Sequence, residues 1–239
     1  MARSVNPRII GRLSPLARTV MAPSLRTLWP TRIEGLEHVP ELGPAIIAPN
    51  HLSEFDSPLL MGALPRQITF LGKAEYLDDL TTRWIVPAIG MIPIDRRGGR
   101  ASQDALDAAT TRLDRGELLG IYPEGTRSRD GFLHRGKTGV ARLALRTGAP
   151  IVPVGIIGTD RIQPCDQAMP TPRRRATVRF GAPLDPDDYI EMLGQETVHR
   201  HLTDDLMRRI QLLSGQAYVD TYPATTRSDI ADHAVAAAG

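Results

Sequence analysis

The chain holds one cysteine, Cys165, in 239 residues. That excludes an internal disulfide framework and any multi-thiolate zinc site, and it suits a reducing compartment. Long apolar runs are missing too: no stretch reaches the roughly 18 uncharged apolar residues that a membrane-spanning helix needs. Arg12, Arg18 and Arg26 interrupt the apolar part of residues 1–30, which therefore make a poor secretion signal. Net charge is only +2, so no broad basic field marks the chain for nucleic acid, and none is expected as a partner. There is no G-x-S-x-G elbow, no internal repeat and no compelling metal-ligand cluster.

What is present is ordinary for a globular protein: 41% apolar and 23% charged residues, in a length suited to one domain with a real core. Twenty prolines and twenty-one glycines imply many loops. The arginines cluster, at Arg96, Arg97 and Arg100, at Arg127 and Arg129, and at Arg173, Arg174 and Arg175. Such clusters suit an anionic ligand or surface, or form solvated loops.

Apolar runs and helical patterns alternate from residue 44 to about 182. Strands are predicted at 45–49, 68–72, 90–94, 118–123, 151–158 and 176–180, with another near 31–39. Helices are predicted at 58–64, 79–87, 101–115, 137–147 and 196–213. Ala105, Leu106, Ala109 and Leu113 recur at three- and four-residue spacings, the mark of a buried helix face. The alternation implies an α/β fold: a single domain whose largely parallel mixed sheet is flanked by helices.

Residues 1–30 read as an amphipathic membrane-associating helical segment, broken by Pro15 and Pro23. Its apolar stripe of Ile9, Leu13, Leu16 and Val20 fits a bilayer surface or the domain's own core equally well. Residues 31–216 form the predicted catalytic domain. Residues 217–239 form a predicted C-terminal tail.

Ligands of open α/β sheets sit beyond the carboxyl ends of the strands. Three predicted strands end in chemistry-bearing loops. After 45–49 come Asn50 and His51, with Asp56 close by. Asp95 and Arg96 follow 90–94, and "EGTRSR" (124–129) follows 118–123. Ser57-Pro58 reads as a cap followed by a first-turn proline, which places His51 and Asp56 in a βα loop where the backbone can fold one beside the other. A carboxylate on one ring nitrogen leaves the other as a general base, though the same spacing also occurs in plain capping loops. "PEGTRS" (123–128) reads as an anion site, with Gly125 permitting close approach and Arg127 offering a planar fork to phosphate. Glu124 would hold that arginine or a substrate hydroxyl; a simple Glu124–Arg127 loop ion pair is the alternative. "GFLHRGKT" (131–138) matches G-x-x-x-x-G-K-[ST], but no buried strand runs into its first glycine, so it is read as a chance match.

Four blocks, "NHLSEFD" (50–56), "GMIPIDR" (90–96), "PEGTRS" (123–128) and "IVPVGI" (151–156), resemble in order and spacing those of the glycerolipid acyltransferase family. The likeness is to the PlsC-type 1-acyl-sn-glycerol-3-phosphate acyltransferases in particular, and "LGKAEY" (71–76) and "HRGKTGVARLA" (134–144) extend it. The resemblance implies that His51 deprotonates an acceptor hydroxyl while Asp56 orients it. Arg127, in a loop shaped by Gly125 and Thr126, would contact the acceptor phosphate with Arg96 assisting, Lys73 and Lys137 would contact phosphate or donor, and Glu124 would complete the substrate-binding set. Val152-Pro153 would shape an acyl pocket. It further implies a lysophospholipid acceptor and an acyl thioester donor, acyl-CoA or acyl-ACP, as co-substrate, with no cofactor and no metal. Work at a membrane surface follows, with the protein peripheral on the cytoplasmic face of the cell membrane. Another lysophospholipid or glycerol 3-phosphate as acceptor, and a non-catalytic lipid-binding protein, are the alternatives.

Overall fold

The computed structural model describes residues 23–73, 91–94, 100–192 and 197–223. The predicted helix 79–87, Arg96, residues 1–22 of the N-terminal segment and residues 224–239 of the tail lie outside the described residues.

Among the described residues, a seven-stranded sheet organises the chain. Its strands are β1 (Thr31–Glu34), β2 (Ala45–Pro49), β3 (Ile68–Lys73), β4 (Ile92–Ile94), β5 (Leu118–Gly120), β7 (Ile151–Ile157) and β8 (Ala176–Phe180). The spatial order is β1-β8-β7-β2-β5-β3-β4. Every pairing is parallel except β7 with β8. The exception has a local cause. The chain leaving β7 makes one helical turn (Thr159–Ile162) and returns from the same sheet edge, with Ile157 opposite Thr177, so β8 must run back antiparallel. Two short strands, β6 (Leu133–His134) and β9 (Tyr218–Val219), pair separately.

The central strands are apolar on both faces because both are covered. Ala45 and Ile47 of β2 join Leu60, Phe70, Leu118, Val154 and Val178 in one cluster. Ile46 and Ala48 point the other way, into a cluster built by the helices α2 (Arg100–Leu113), α3 (Gly139–Thr147) and α5 (Val198–Ser214). (α1 is Asp56–Ala63 and α4 the turn Thr159–Ile162.) Ala105, Ala109 and Leu113 are buried as their spacing predicts, with Leu106 packed at the margin. α5 crosses β7 so closely that a Cβ at Gly155 would stand 2.4 Å from the Leu213 carbonyl carbon; only glycine fits there.

Several boundaries differ from the sequence reading. The predicted strand 31–39 stops at Glu34, where Gly35 turns left-handed and a 3-10 turn, Leu36–His38, follows. β5 ends at Gly120, so residues 121–123 belong to the loop. Val152 and Pro153 lie buried inside β7, in the core of the domain.

At the two ends of the described chain, the backbone packs on the domain. Residues 23–28 are helical; Leu25 and Trp29 pack on the core, and the Trp29 indole N–H donates to the Thr171 carbonyl at 2.8 Å. Beyond residue 216, β9 pairs with β6, and Arg135 N–H donates to the Thr221 carbonyl at 3.0 Å.

Candidate active site

The parallel register of β2 with β5 (Ile47 opposite Gly120) delivers the loops after both strands to one edge of the sheet. Lys73 closes β3 at that same edge; Arg96 lies outside the described residues.

The turn 50–56 folds His51 back onto Asp56, with Nδ1 to Oδ2 at 2.9 Å. The same Oδ2 accepts the backbone N–H groups of Leu52 at 2.8 Å and Ser53 at 2.9 Å. Three donors on one oxygen fix the turn and the carboxylate together. Asp56 is fully buried and is itself the first residue of α1, whose N-terminal end favours negative charge. The helix therefore starts two residues earlier than the predicted 58. Ser57 makes no cap; its hydroxyl meets the Tyr122 phenol at 2.7 Å.

Around this pair the chain supplies three further supports. Asn50 donates to the Ile156 carbonyl at 2.9 Å and accepts from the Ile156 N–H at 2.7 Å, pinning the end of β2 to β7. Its Nδ2 also donates to Gln216 Oε1 at 2.7 Å, and Gln216 donates to the Gly131 carbonyl at 2.8 Å. His51's carbonyl accepts the Ser128 N–H at 2.7 Å. The Tyr122 ring lies on the imidazole, with centroids 3.7 Å apart and planes 18° from parallel.

Glu124 departs from its predicted task. It is fully buried; Oε1 accepts the His51 N–H at 3.1 Å and Oε2 the His134 N–H at 3.0 Å. Both oxygens are turned to the backbone, so this residue braces the turn and the loop instead of holding a substrate hydroxyl or Arg127. Burial pushes its carboxyl up to about 8, the two N–H donors opposing that rise.

Arg127 instead pairs with Glu54 of the His51 turn, at 3.2 Å. That contact places the guanidinium on the same rim as His51. Thr126 sits half-buried between Gly125 and Arg127. Gly125 has φ 77°, and a Cβ there would lie 3.2 Å from Lys137 Cδ, Cε and Nζ, so its hydrogen lets the exposed lysine fold across the loop. Lys137 is held by its backbone N–H, which donates to the Pro123 carbonyl at 2.8 Å.

Behind the loop, Asp130 accepts from Ser128 Oγ at 3.0 Å and contacts His134 Nε2 at 3.0 Å. Burial raises the Asp130 carboxyl, but its hydrogen-bond and ionic partners, His134 first, outweigh it and the net shift is downward. Within the G-x-x-x-x-G-K-T match, the Leu133, His134 and Arg135 N–H groups are bound to Ala217, Glu124 and Thr221, so no phosphate cradle forms there. Cys165 lies 3.5 Å from the Leu52 carbonyl oxygen, and burial pushes its thiol up, away from a reactive thiolate. Among the described residues, no three His, Cys, Asp or Glu side chains converge as a metal site.

The sequence marks Asn50 as following a strand but assigns it no role, and it singles out neither Tyr122 nor Gln216. A buried Asn directly after a strand is a detectable signal for the first. Gln216, 166 positions downstream, carries none.

The mostly parallel α/β sheet thus carries a histidine–carboxylate pair and basic groups at one strand edge. The Acyltransferase family model matches residues 30–157, more than half of the chain, and the chain belongs to that family. It is 32% identical over 142 residues to the 1-acyl-sn-glycerol-3-phosphate acyltransferase BAT2, chloroplastic, of Brassica napus, covering 59% of this chain and 41% of that one. With the 1-acyl-sn-glycerol-3-phosphate acyltransferase of Limnanthes douglasii it is 30% identical over 201 residues, 83% of this chain and 65% of the other. With the alpha form from Bos taurus it is 29% identical over 187 residues, 75% and 64% respectively. The chain spans about four-tenths to two-thirds of these relatives' lengths. Its fold is shared with the crystal structure of the 1-acyl-sn-glycerophosphate (LPA) acyltransferase PlsC from Thermotoga maritima, with a TM-score of 0.64 over 82% of this chain and 79% of that one, at 24% identity.

Proposed function

We propose that this protein transfers a fatty acyl group from an acyl thioester to the free hydroxyl of lysophosphatidic acid, forming phosphatidic acid. The observation that carries the reading is the His51–Asp56 pair at the strand edge, with Arg127 tied to the same turn. The relatives' names supply the acceptor.

With Nδ1 on Asp56, His51 offers Nε2 to the acceptor hydroxyl. Nε2 takes the hydroxyl proton as the oxygen attacks the thioester carbonyl. The buried Asp56 carboxylate stabilises the imidazolium that results. The tetrahedral adduct collapses with cleavage of the C–S bond, and the imidazolium returns its proton to the departing thiolate. A positioned base contributes on the order of 10²–10⁴-fold, and holding both substrates in register contributes more. No acyl-enzyme, metal or organic cofactor enters this scheme. Arg127 and Lys137 hold the acceptor phosphate, and Arg96 assists. The protein works as a peripheral protein on the cytoplasmic membrane face; the exposed Arg173, Arg174 and Arg175 fit anionic headgroups, and no described helix is long and apolar enough to cross a membrane.

Purified protein given radiolabelled lysophosphatidic acid and a long-chain acyl-CoA, with acyl-ACP, glycerol 3-phosphate and other lysophospholipids as parallel arms, tests the reading. Phosphatidic acid should form, and His51→Ala should lose at least about 10²-fold of kcat. Full turnover by His51→Ala would reject the base.

A further inference from the structure

We propose that Tyr122 is a positioning residue for His51. It holds the imidazole plane by face-to-face contact and is itself tethered by Ser57. The proposal rests on the acyl-transfer reading but concerns a residue outside its chemistry.

The imidazole has two rotatable bonds, and Asp56 restrains only one nitrogen. A single hydrogen bond at Nδ1 leaves the ring free to rock about the Nδ1–Oδ2 line, which would sweep Nε2 across the acceptor hydroxyl. Tyr122 removes that freedom. Its ring covers one imidazole face at 3.7 Å between centroids and 18° between planes. Phe70 stands beyond it in nearly the same orientation, 6.1 Å away and 15° from parallel. At the far end the Tyr122 phenol meets Ser57 Oγ at 2.7 Å, and Ser57 adjoins Asp56 in the first turn of α1. The two restraints on His51, one on its edge and one on its face, are thus anchored to consecutive residues of one helix. Ring plane and hydrogen-bond partner move as a unit.

Tyr122 precedes the Pro-Glu-Gly-Thr-Arg run, so the loop that carries Arg127 also carries the plate against the base. The Gly125 N–H donates to the Tyr122 carbonyl at 3.0 Å, closing the turn between them. Base and anion-binding loop are therefore registered through a side chain as well as through Glu124.

Two measurements on the full chain decide it. In the lysophosphatidic acid and long-chain acyl-CoA assay, Tyr122→Leu should lower kcat about 10- to 100-fold, with both KM values within about twofold. Tyr122→Phe, which keeps the plate and loses the tether, should recover most of that loss. A loss carried by KM, or a kcat unchanged in Tyr122→Leu, overturns the proposal. If the thermal melt shows that Tyr122→Leu does not fold, Ser57→Ala decides: kcat falling threefold or more at unchanged KM supports the tether, and an unchanged kcat rejects it. The second measurement needs no turnover. Diethyl pyrocarbonate modification of the His51 peptide, followed by mass spectrometry, should run several-fold faster in Tyr122→Leu than in wild type. An equal rate rejects the covering plate even if the acyl-transfer reading fails, and that reading fails separately if wild type and His51→Ala behave alike.

Discussion

Asp56 gives the sharpest test because one of its oxygens serves both stability and chemistry. In Asp56→Ala the Leu52 and Ser53 N–H groups, 2.8 and 2.9 Å from Oδ2, lose their acceptor in a buried turn. Each orphaned donor costs about 1–3 kcal/mol, and relief of a buried carboxylate offsets part of the sum. A net loss of about 2–4 kcal/mol should lower the melting temperature by roughly 5–15 °C for a domain of this size. Asp56→Asn keeps an oxygen for the turn but removes the charge that stabilises a protonated His51. It should melt within about 1–2 kcal/mol of wild type while losing about 10²–10⁴ in kcat. Melting followed by tryptophan fluorescence, together with the acyl-transfer assay on the same samples, separates the two effects. Wild-type melting in Asp56→Ala would refute the buried three-donor turn, and wild-type turnover in Asp56→Asn would refute the electrostatic role.

Glu124 should leave a signature in the pH dependence of stability. Its folded value of about 8 lies above the ordinary 4.5, so the folded state keeps a proton that the unfolded chain releases. Its contribution is complete below about 4.5 and is lost as pH rises through about 8. The melting temperature of wild type should therefore fall relative to Glu124→Gln between pH 5 and 8; parallel curves would contradict a buried neutral carboxyl. Arg127→Ala should raise the acceptor KM about 10- to 100-fold with a smaller change in kcat, and an unchanged KM would remove the arginine from the phosphate site.

The central sheet was legible because β2 and β7 are unbroken apolar runs, buried on both faces and bounded by proline, glycine or polar residues. The edge that carries the site was legible for the same reason: once strands are parallel, whatever follows them meets. Helix starts were less so. The Ser57-Pro58 pattern pointed to a cap at 57, but the buried Asp56 begins the helix because its side chain is occupied with three donors from the preceding turn. Glu124 misled for a related reason, since a carboxylate beside an arginine looks like its partner until backbone donors ten and seventy-three residues away claim both oxygens. The β6–β9 pairing was invisible, being two residues long and closed across more than eighty positions.

The edge of the sheet sets a limit on how this protein can be dissected. β1 lies inside the stretch that the family model matches, yet among the described residues its only neighbour in the sheet is β8, which lies outside it. A fragment cut at residue 157 would strand that first segment without a ladder and bare the surface that α5 shields. The stretch that carries the family's blocks is completed along its β1 edge by a strand that lies beyond it.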